Sequence, residues 1–477
     1  MPKKYYNKEN LINVIKGKLF LLNFFLAFFF QKIILAQTSG NNEAILLYKV
    51  VIPPAFCESS NGLSFGGDLR IGDLNNDGKL EFLIYRAISS INGGGVQPCF
   101  VGAFDFEGNI LWQKGKGGKQ PNRPGPVAIY DLNADEKNEV ICLFVEDSSV
   151  ISPYSMKNIK LLLLDGENGE ILKSTKPSVF NKTEGEGPNW VHQRILIANL
   201  SGNQTPQDFI IKLGKTIYAF NHHFELLWEY YNANDQYQNC PAYIPAVGDI
   251  DNDGKDEVNG GYYLLDDDGK VMWEEKLGKN MDCVAIDFWD NDHQKRAICS
   301  GYGFVLDEKG DTILFLGEKL VPHGQELRVA DFDTEFEGRE MVIRYNGHQQ
   351  DIRVISQDGR VINEFQINAS PNHTGMEAVY WNGSKQPALL YNGGSLWSSK
   401  GKLVSELPGL PQPPVGDKRQ GWYHCITCDI TGDDGEEIVV YNPWGNEIFI
   451  YTANRKNWNQ PKKFKAEAKQ YNPRLMD

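Results

Sequence analysis

Beyond residue 40 the chain has no long stretch of helical periodicity, which argues against a helical bundle. It has no excess of positive charge either. Lys and Arg number 48 against 62 Asp and Glu, a formal net charge of −14, so nucleic acid is not an expected partner. No linker interrupts the chain, which argues against a string of separate β-sandwiches. Histidine is scarce, with eight in 477 residues. Aromatics, by contrast, reach 12%, and there are 47 Gly, a composition that suits an all-β repeat protein.

The N-terminus is the exception in character. Basic residues precede an apolar stretch from Leu19 to Phe30, and Gln31 and Lys32 then cut it short. The pattern predicts a secretory signal over residues 1–36, cleaved near Ala36, rather than a stable membrane span. No Cys follows it, so a lipid anchor is not indicated. An exported protein, extracellular or periplasmic, and monomeric, is expected.

The stretch "GDLNNDGKLEFLIY" from Gly72 sets Asp73, Asn75 and Asp77 at alternate positions, with Gly78 and then Glu81. Oxygen ligands at that spacing in a tight turn suit Ca²⁺, and "FLIY" continues as a strand rather than the helix of an EF-hand. The pattern returns as Asp249, Asp251, Asp253 and Glu257, and again as Asp429, Asp433 and Glu437. Weaker copies start at Asp131, Asp287 and Asp331, and copies without acids at Asn199 and Tyr380. The eight starts lie 58, 68, 50, 38, 44, 49 and 49 residues apart. Most copies are followed by a hairpin pattern whose second run often carries Trp, as in "VGAFDFEGNILWQ" from Val101.

A loop-linked strand pair plus a hairpin, repeated at this period, predicts four-stranded antiparallel blades of a β-propeller over residues 37–453. Eight copies imply eight blades; seven stays open because the units at Asp287 and Tyr380 are degenerate. The basic tail, 454–477, is expected to close the last blade or to hang free. Export permits disulfides among the eight Cys, Cys57–Cys99 being one pairing, while Cys425 and Cys428 read as two core or rim thiols.

In a propeller the segment entering each first strand lies beside the central channel. Polar residues recur in that slot: Arg123; His192 and Arg194; Tyr243; His323, Glu326 and Arg328; His373 and Glu377; Trp422, Tyr423 and His424. Four of the eight His fall there. Together they predict a shallow, cationic pocket for an anionic ligand. Trp190, Trp381, Trp397, Trp422 and Trp444 could add stacking faces for sugars.

The run "GDLRIGDLNNDGKLEFLIYR", the middle "PAVGDIDNDGKDEVNGGYYLLDDDG" and above all "HGQELRVADFDTEFEGREMVI" resemble the rhamnogalacturonan lyases of polysaccharide lyase family 11. The resemblance implies a secreted, calcium-rich, eight-bladed propeller that cuts rhamnose–uronate chains by β-elimination. Ulvan, another rhamnose–uronate polymer, is not excluded. This chain departs from the family where Arg328, Tyr243 and Arg123 stand near family histidines.

Elimination needs a cation on the uronate carboxylate, a base for the C5 proton and an acid for the departing O4. Arg328 and Arg194 are assigned to the carboxylate, His323 or His192 to the base and Tyr243 to the acid. His373, His424, Arg123, Trp422 and Tyr423 are assigned to substrate binding. A glycoside hydrolase using a carboxylate pair such as Glu326 and Glu377 is the second reading. A non-catalytic, calcium-stapled binding propeller is the third.

Overall fold

The computed structural model describes residues 43–60, 62–87, 98–118, 125–146, 159–182, 193–234, 239–289, 293–367, 375–412, 423–453 and 463–473. Eight four-stranded antiparallel sheets follow one another, each an expected repeat unit, with one extra two-stranded ribbon. The chain is an all-β, eight-bladed propeller. The degenerate units are full blades: Val284–Phe288 opens the fifth and Met376–Val379 the seventh.

The blades are ordered by burial. First strands such as Asp68–Gly72, Arg194–Ala198 and Glu326–Ala330 are buried throughout. They contact the first strands of neighbouring blades and so ring the channel. Fourth strands such as Leu226–Tyr231 and Val361–Gln366 are largely exposed.

Core clusters form between blades rather than within them. One joins Ile141 and Leu143 of the second blade to Phe209 and Ile211 of the third. The Trp on outer strands is part of this packing. Trp112 donates to the Gly166 carbonyl of the next blade (2.7 Å), and Trp228 does the same to Asp267 (2.6 Å). A Cβ on Gly169 or Gly269 would fall 2.5 or 2.6 Å from those indole rings, so the hairpin turn must be glycine for the ring to lie on it.

The ring closes through the N-terminus. Ala44–Val51 pairs antiparallel with Glu447–Ala453 as the outermost strand of the eighth blade. The tail therefore has no blade to complete, and its described part, residues 463–473, is docked on the propeller. The Phe464 amide donates to the Gly78 carbonyl (2.8 Å), and a short helix, Ala468–Tyr471, lies against the first strands of the eighth, first and second blades. Gln470 donates to the Thr427 carbonyl (2.5 Å), and Asn472 exchanges two hydrogen bonds of 2.8 Å with the Ile197 backbone. The physical reason is unpaired backbone: inner strands have a free edge on the channel, and this segment fills part of it. Among the described residues no helix is long and apolar enough to cross a membrane. None of the eight cysteines forms a disulfide, so the expected Cys57–Cys99 pairing is not made.

Candidate active site

Each inner strand has two ends with different chemistry. The slot residues enter at one end, and the acidic loops leave from the other. A five-residue strand separates them by roughly 16 Å.

At the entry end, His323 precedes Glu326–Ala330 and is held by a backbone exchange with Tyr345 and Gly347. Its ring is about one-third exposed (30%), and Nε2 lies 2.9 Å from Oδ2 of buried Asp282. Asp282 is oriented by Asn280, whose amide reaches both carboxylate oxygens at 2.9 and 3.1 Å. A carboxylate only accepts, so Nε2 carries the proton and Nδ1 of the neutral ring is left basic. Among the described residues Nδ1 has no hydrogen-bond partner; the Gly347 backbone lies beside it, and a Cβ there would come within 3.2 Å.

Arg328, two residues into the same strand, is buried and matched by acids. Its Nη2 and Nε meet the Glu377 carboxylate of the seventh blade at 2.7 and 3.2 Å, and Nη2 is 3.3 Å from Glu326. Burial opposes its charge, but Glu377 and Glu326 outweigh that and hold the guanidinium above its ordinary pKa. The expected cationic pocket is thus a balanced network at this point. Arg344 stands opposite Glu326 on the adjoining strand and is fully buried.

The first blade repeats the pattern, which sequence reasoning passed over. Asp68 and Arg70 occupy the places of Glu326 and Arg328, in "GDLRIGD" against "QELRVAD". Asp68 takes Arg70 Nη1 (2.9 Å), the Gly125 amide (2.9 Å) and the Tyr441 hydroxyl (3.0 Å). The matching sequence frame was the available signal.

The remaining slot residues divide. His424 is buried and its ring stacks on Tyr441 at 5.5 Å, beside Asp68. Arg194 is buried at the start of its strand and donates to the Gln193 carbonyl (2.8 Å). Tyr243 is partly exposed in the segment entering the fourth blade. Tyr423 turns away from the channel: its ring is buried against Phe449, and burial pushes its hydroxyl up to about 12. Arg123, His192, His373 and Trp422 lie outside the described residues, as does Trp190. Trp381, Trp397 and Trp444 are buried packing residues rather than open stacking faces.

At the opposite end, the loops share one construction. The closing Glu accepts the amide just after the leading Asp: Leu74 to Glu81 (2.7 Å), Leu132 to Glu139 (2.9 Å), Ile250 to Glu257 (2.8 Å), Ile430 to Glu437 (2.7 Å). Asn75 and Asp77 of the first loop cap the amides of Asp77 and Lys79, at 2.9 and 2.8 Å. Asp251 and Asp253 do the same in the fourth blade (3.1 and 2.8 Å), and Asp433 accepts from Gly435 (3.1 Å).

Three acidic groups bring ligand oxygens within 4.8 Å of one another: Asp131, Asp135 and Glu139; Asp249, Asp251 and Glu257; and Glu257, Asp266 and Asp267. The Asp131 loop, read from sequence as a weaker copy, is therefore among the best gathered. Its Asp-x-Asn-x-Asp-x₃-Glu spacing is that of the first loop. The residues fit a cation. Glu257 is wholly buried, and its Oε1 and the Oδ1 of Asp249 have no hydrogen-bond partner among the described residues. Burial, with neighbouring Asp charges, raises Glu139 to about 7 and Glu257 to about 8, the strain a bound cation would relieve.

Inside the ring, between these ends, lies a cavity of about 640 Å³ lined by Arg328, Glu377, Val247, Asp287 and, from the C-terminal helix, Lys469. Fold and mouth together define a propeller enzyme whose polar chemistry gathers at one end of its channel. The family model described as rhamnogalacturonan lyase family 11, C-terminal domain, matches residues 214–469, more than half of the chain. The chain belongs to that family and is a polysaccharide lyase, which sets aside the hydrolase and binding-module readings.

Solved structures agree in fold. A family 11 rhamnogalacturonan lyase from Bacillus licheniformis superposes with a TM-score of 0.64 at 18% identity, over 89% of this chain and 78% of that one. The rhamnogalacturonan lyase YesW gives 0.59 at 18%, over 87% and 77%. The exotype rhamnogalacturonan lyase YesX gives 0.59 at 16%, over the same shares. No curated protein matches.

Proposed function

We propose that this lyase is exported and cleaves a rhamnose–uronate polysaccharide of the rhamnogalacturonan type by β-elimination, with His323 as the base. The observation that carries this reading is the partly exposed His323 ring, tied through Nε2 to Asp282 with Nδ1 left basic. When Nδ1 takes the C5 proton, the Asp282 carboxylate stabilises the imidazolium that forms.

The uronate carboxylate is assigned to Arg194, and to Arg328 where the substrate displaces Glu377. Tyr243 is assigned to the departing O4. His192, His373, His424, Arg123 and Trp422 remain proposed contributors to binding. Ca²⁺ is proposed at Asp249, Asp251, Asp253 and Glu257, at Asp131, Asp135 and Glu139, at Asp73, Asn75, Asp77 and Glu81, and at Asp429, Asp433 and Glu437. There it would neutralise buried carboxylates and staple the first two strands of a blade. The chemistry stays at the other end of the strand.

The test is ultraviolet absorbance of the conjugated, unsaturated uronate while the purified protein meets rhamnogalacturonan, ulvan and other acidic glycans. A rise on rhamnogalacturonan supports the reading. A rise on ulvan alone moves the substrate, and no rise on any uronate polymer overturns the proposal.

A further inference from the structure

We propose that Arg344 is a positioning residue of the lyase site, acting through Asp282 and Glu326 on His323 and Arg328. The inference rests on His323 being the base. Arg344 ends the strand Glu340–Arg344 and is the direct register partner of Glu326. Its carbonyl accepts the Gln325 amide (2.9 Å), and the next residue, Tyr345, accepts the His323 amide (3.1 Å). Arg344 is therefore built into the backbone that presents His323.

Its side chain is the unusual part. It is fully buried, and all three guanidinium nitrogens lack a hydrogen-bond partner among the described residues. The Glu326 Oε2, Gln325 Oε1 and Asn280 Oδ1 atoms are likewise buried without partners. A buried arginine with no hydrogen bonds is costly and is tolerated where its charge is needed. Burial pushes its pKa down to about 10, and Glu326, Asp282 and Cys283 are the groups whose charges oppose that fall.

The charges explain the need. Three carboxylates stand at the entries to the fifth, sixth and seventh blades: Asp282 is held to His323, and Arg328 answers Glu377 and Glu326. Without Arg344, Glu326 and Asp282 would lose a cation whose charge acts on both, and a buried carboxylate would take up a proton. With Arg344 present, Glu326 is balanced from both sides. The Asp282 charge is then left for the imidazolium at His323. The His348 ring lies near His323, at 6.4 Å between centroids.

The experiment compares wild type with R344M, R344K and H323Q in two readouts. The first is the pH profile of kcat and KM for elimination. The second is the titration of the His323 ring by NMR of histidine-labelled protein, assigned with H323Q. For R344M, kcat is expected to fall about 10- to 100-fold, the scale on which partners behind a functional imidazole act, with KM little changed. Its acid limb and the His323 titration should both move to lower pH, because a carboxylate that has taken up a proton no longer stabilises the imidazolium. R344K should keep the wild-type limb. An R344M protein that folds, turns over as wild type and leaves the His323 titration in place overturns the proposal. H323Q with wild-type turnover would instead overturn the base assignment, and the NMR readout would still judge Arg344 by itself.

Discussion

Arg328 and Glu377 form a two-armed ion pair across the boundary between the sixth and seventh blades, with contacts of 2.7 and 3.2 Å. The pair joins two inner strands at the depth where the site meets the channel cavity. A planar guanidinium matched to both carboxylate oxygens fixes the relative position of those strands. Breaking it removes the nearer of the two carboxylates that answer a buried guanidinium. E377A is expected to cost about 3–5 kcal/mol of stability, the usual range for removing one partner of a buried pair. Chemical denaturation measures this, and a loss below about 1 kcal/mol would show that the pair is solvated in solution.

Gly347 gives a sharper probe of His323 than truncation of the histidine. A Cβ there would sit 3.2 Å from Nδ1, and the residue has φ near +57°. G347A should therefore lower kcat while substrate still binds. Steady-state kinetics will show whether kcat falls with KM unchanged. Full activity would mean that Nδ1 does not face the substrate.

Removal of metal should be felt in stability first. Chelation is predicted to lower the melting temperature, and added Ca²⁺ to restore it, by linkage to the folded state. E257Q removes the carboxylate common to two of the three acidic groups and should abolish part of the calcium uptake seen by calorimetry. Calcium that neither binds nor shifts the melting temperature would contradict the cation assignment.

The C-terminal segment is predicted to act as a strap. Asn472 satisfies both the amide and the carbonyl of Ile197, on the edge that no strand among the described residues pairs. N472L should cost about 1–3 kcal/mol by leaving two backbone groups unpaired. Thermal denaturation of N472L, beside a chain ending at residue 462, measures the effect; unchanged melting in both would show that the strap does not bear on stability.

Much of the fold was legible because blades repeat. The Asp-rich turn and the hairpin recur where inner strands end and outer strands pair, so the period could be read even through Asn199 and Tyr380, which lack the acids. The closure was harder to see. Ala44–Val51 looks like any strand, and nothing local says that it pairs with residues 400 positions away.

The site was half legible. His323 stood out by its slot, but Asp282 sits in the entry to the previous blade, with no sequence mark tying it to that ring. Arg328 was readable as a cation; its match with Glu377 depends on which faces of two inner strands meet. Arg344 lies on a second strand, outside the slot searched, and only register brings it to Glu326. Tyr423 shows the converse, a residue in the right slot whose side chain faces the core.

The most direct test compares wild type and H323A on rhamnogalacturonan, following unsaturated-uronate absorbance with folding checked by circular dichroism. Wild type should produce the chromophore, and H323A should be slower by roughly a hundredfold or more, the contribution of a positioned base. A folded H323A that makes the chromophore at the wild-type rate would contradict the account.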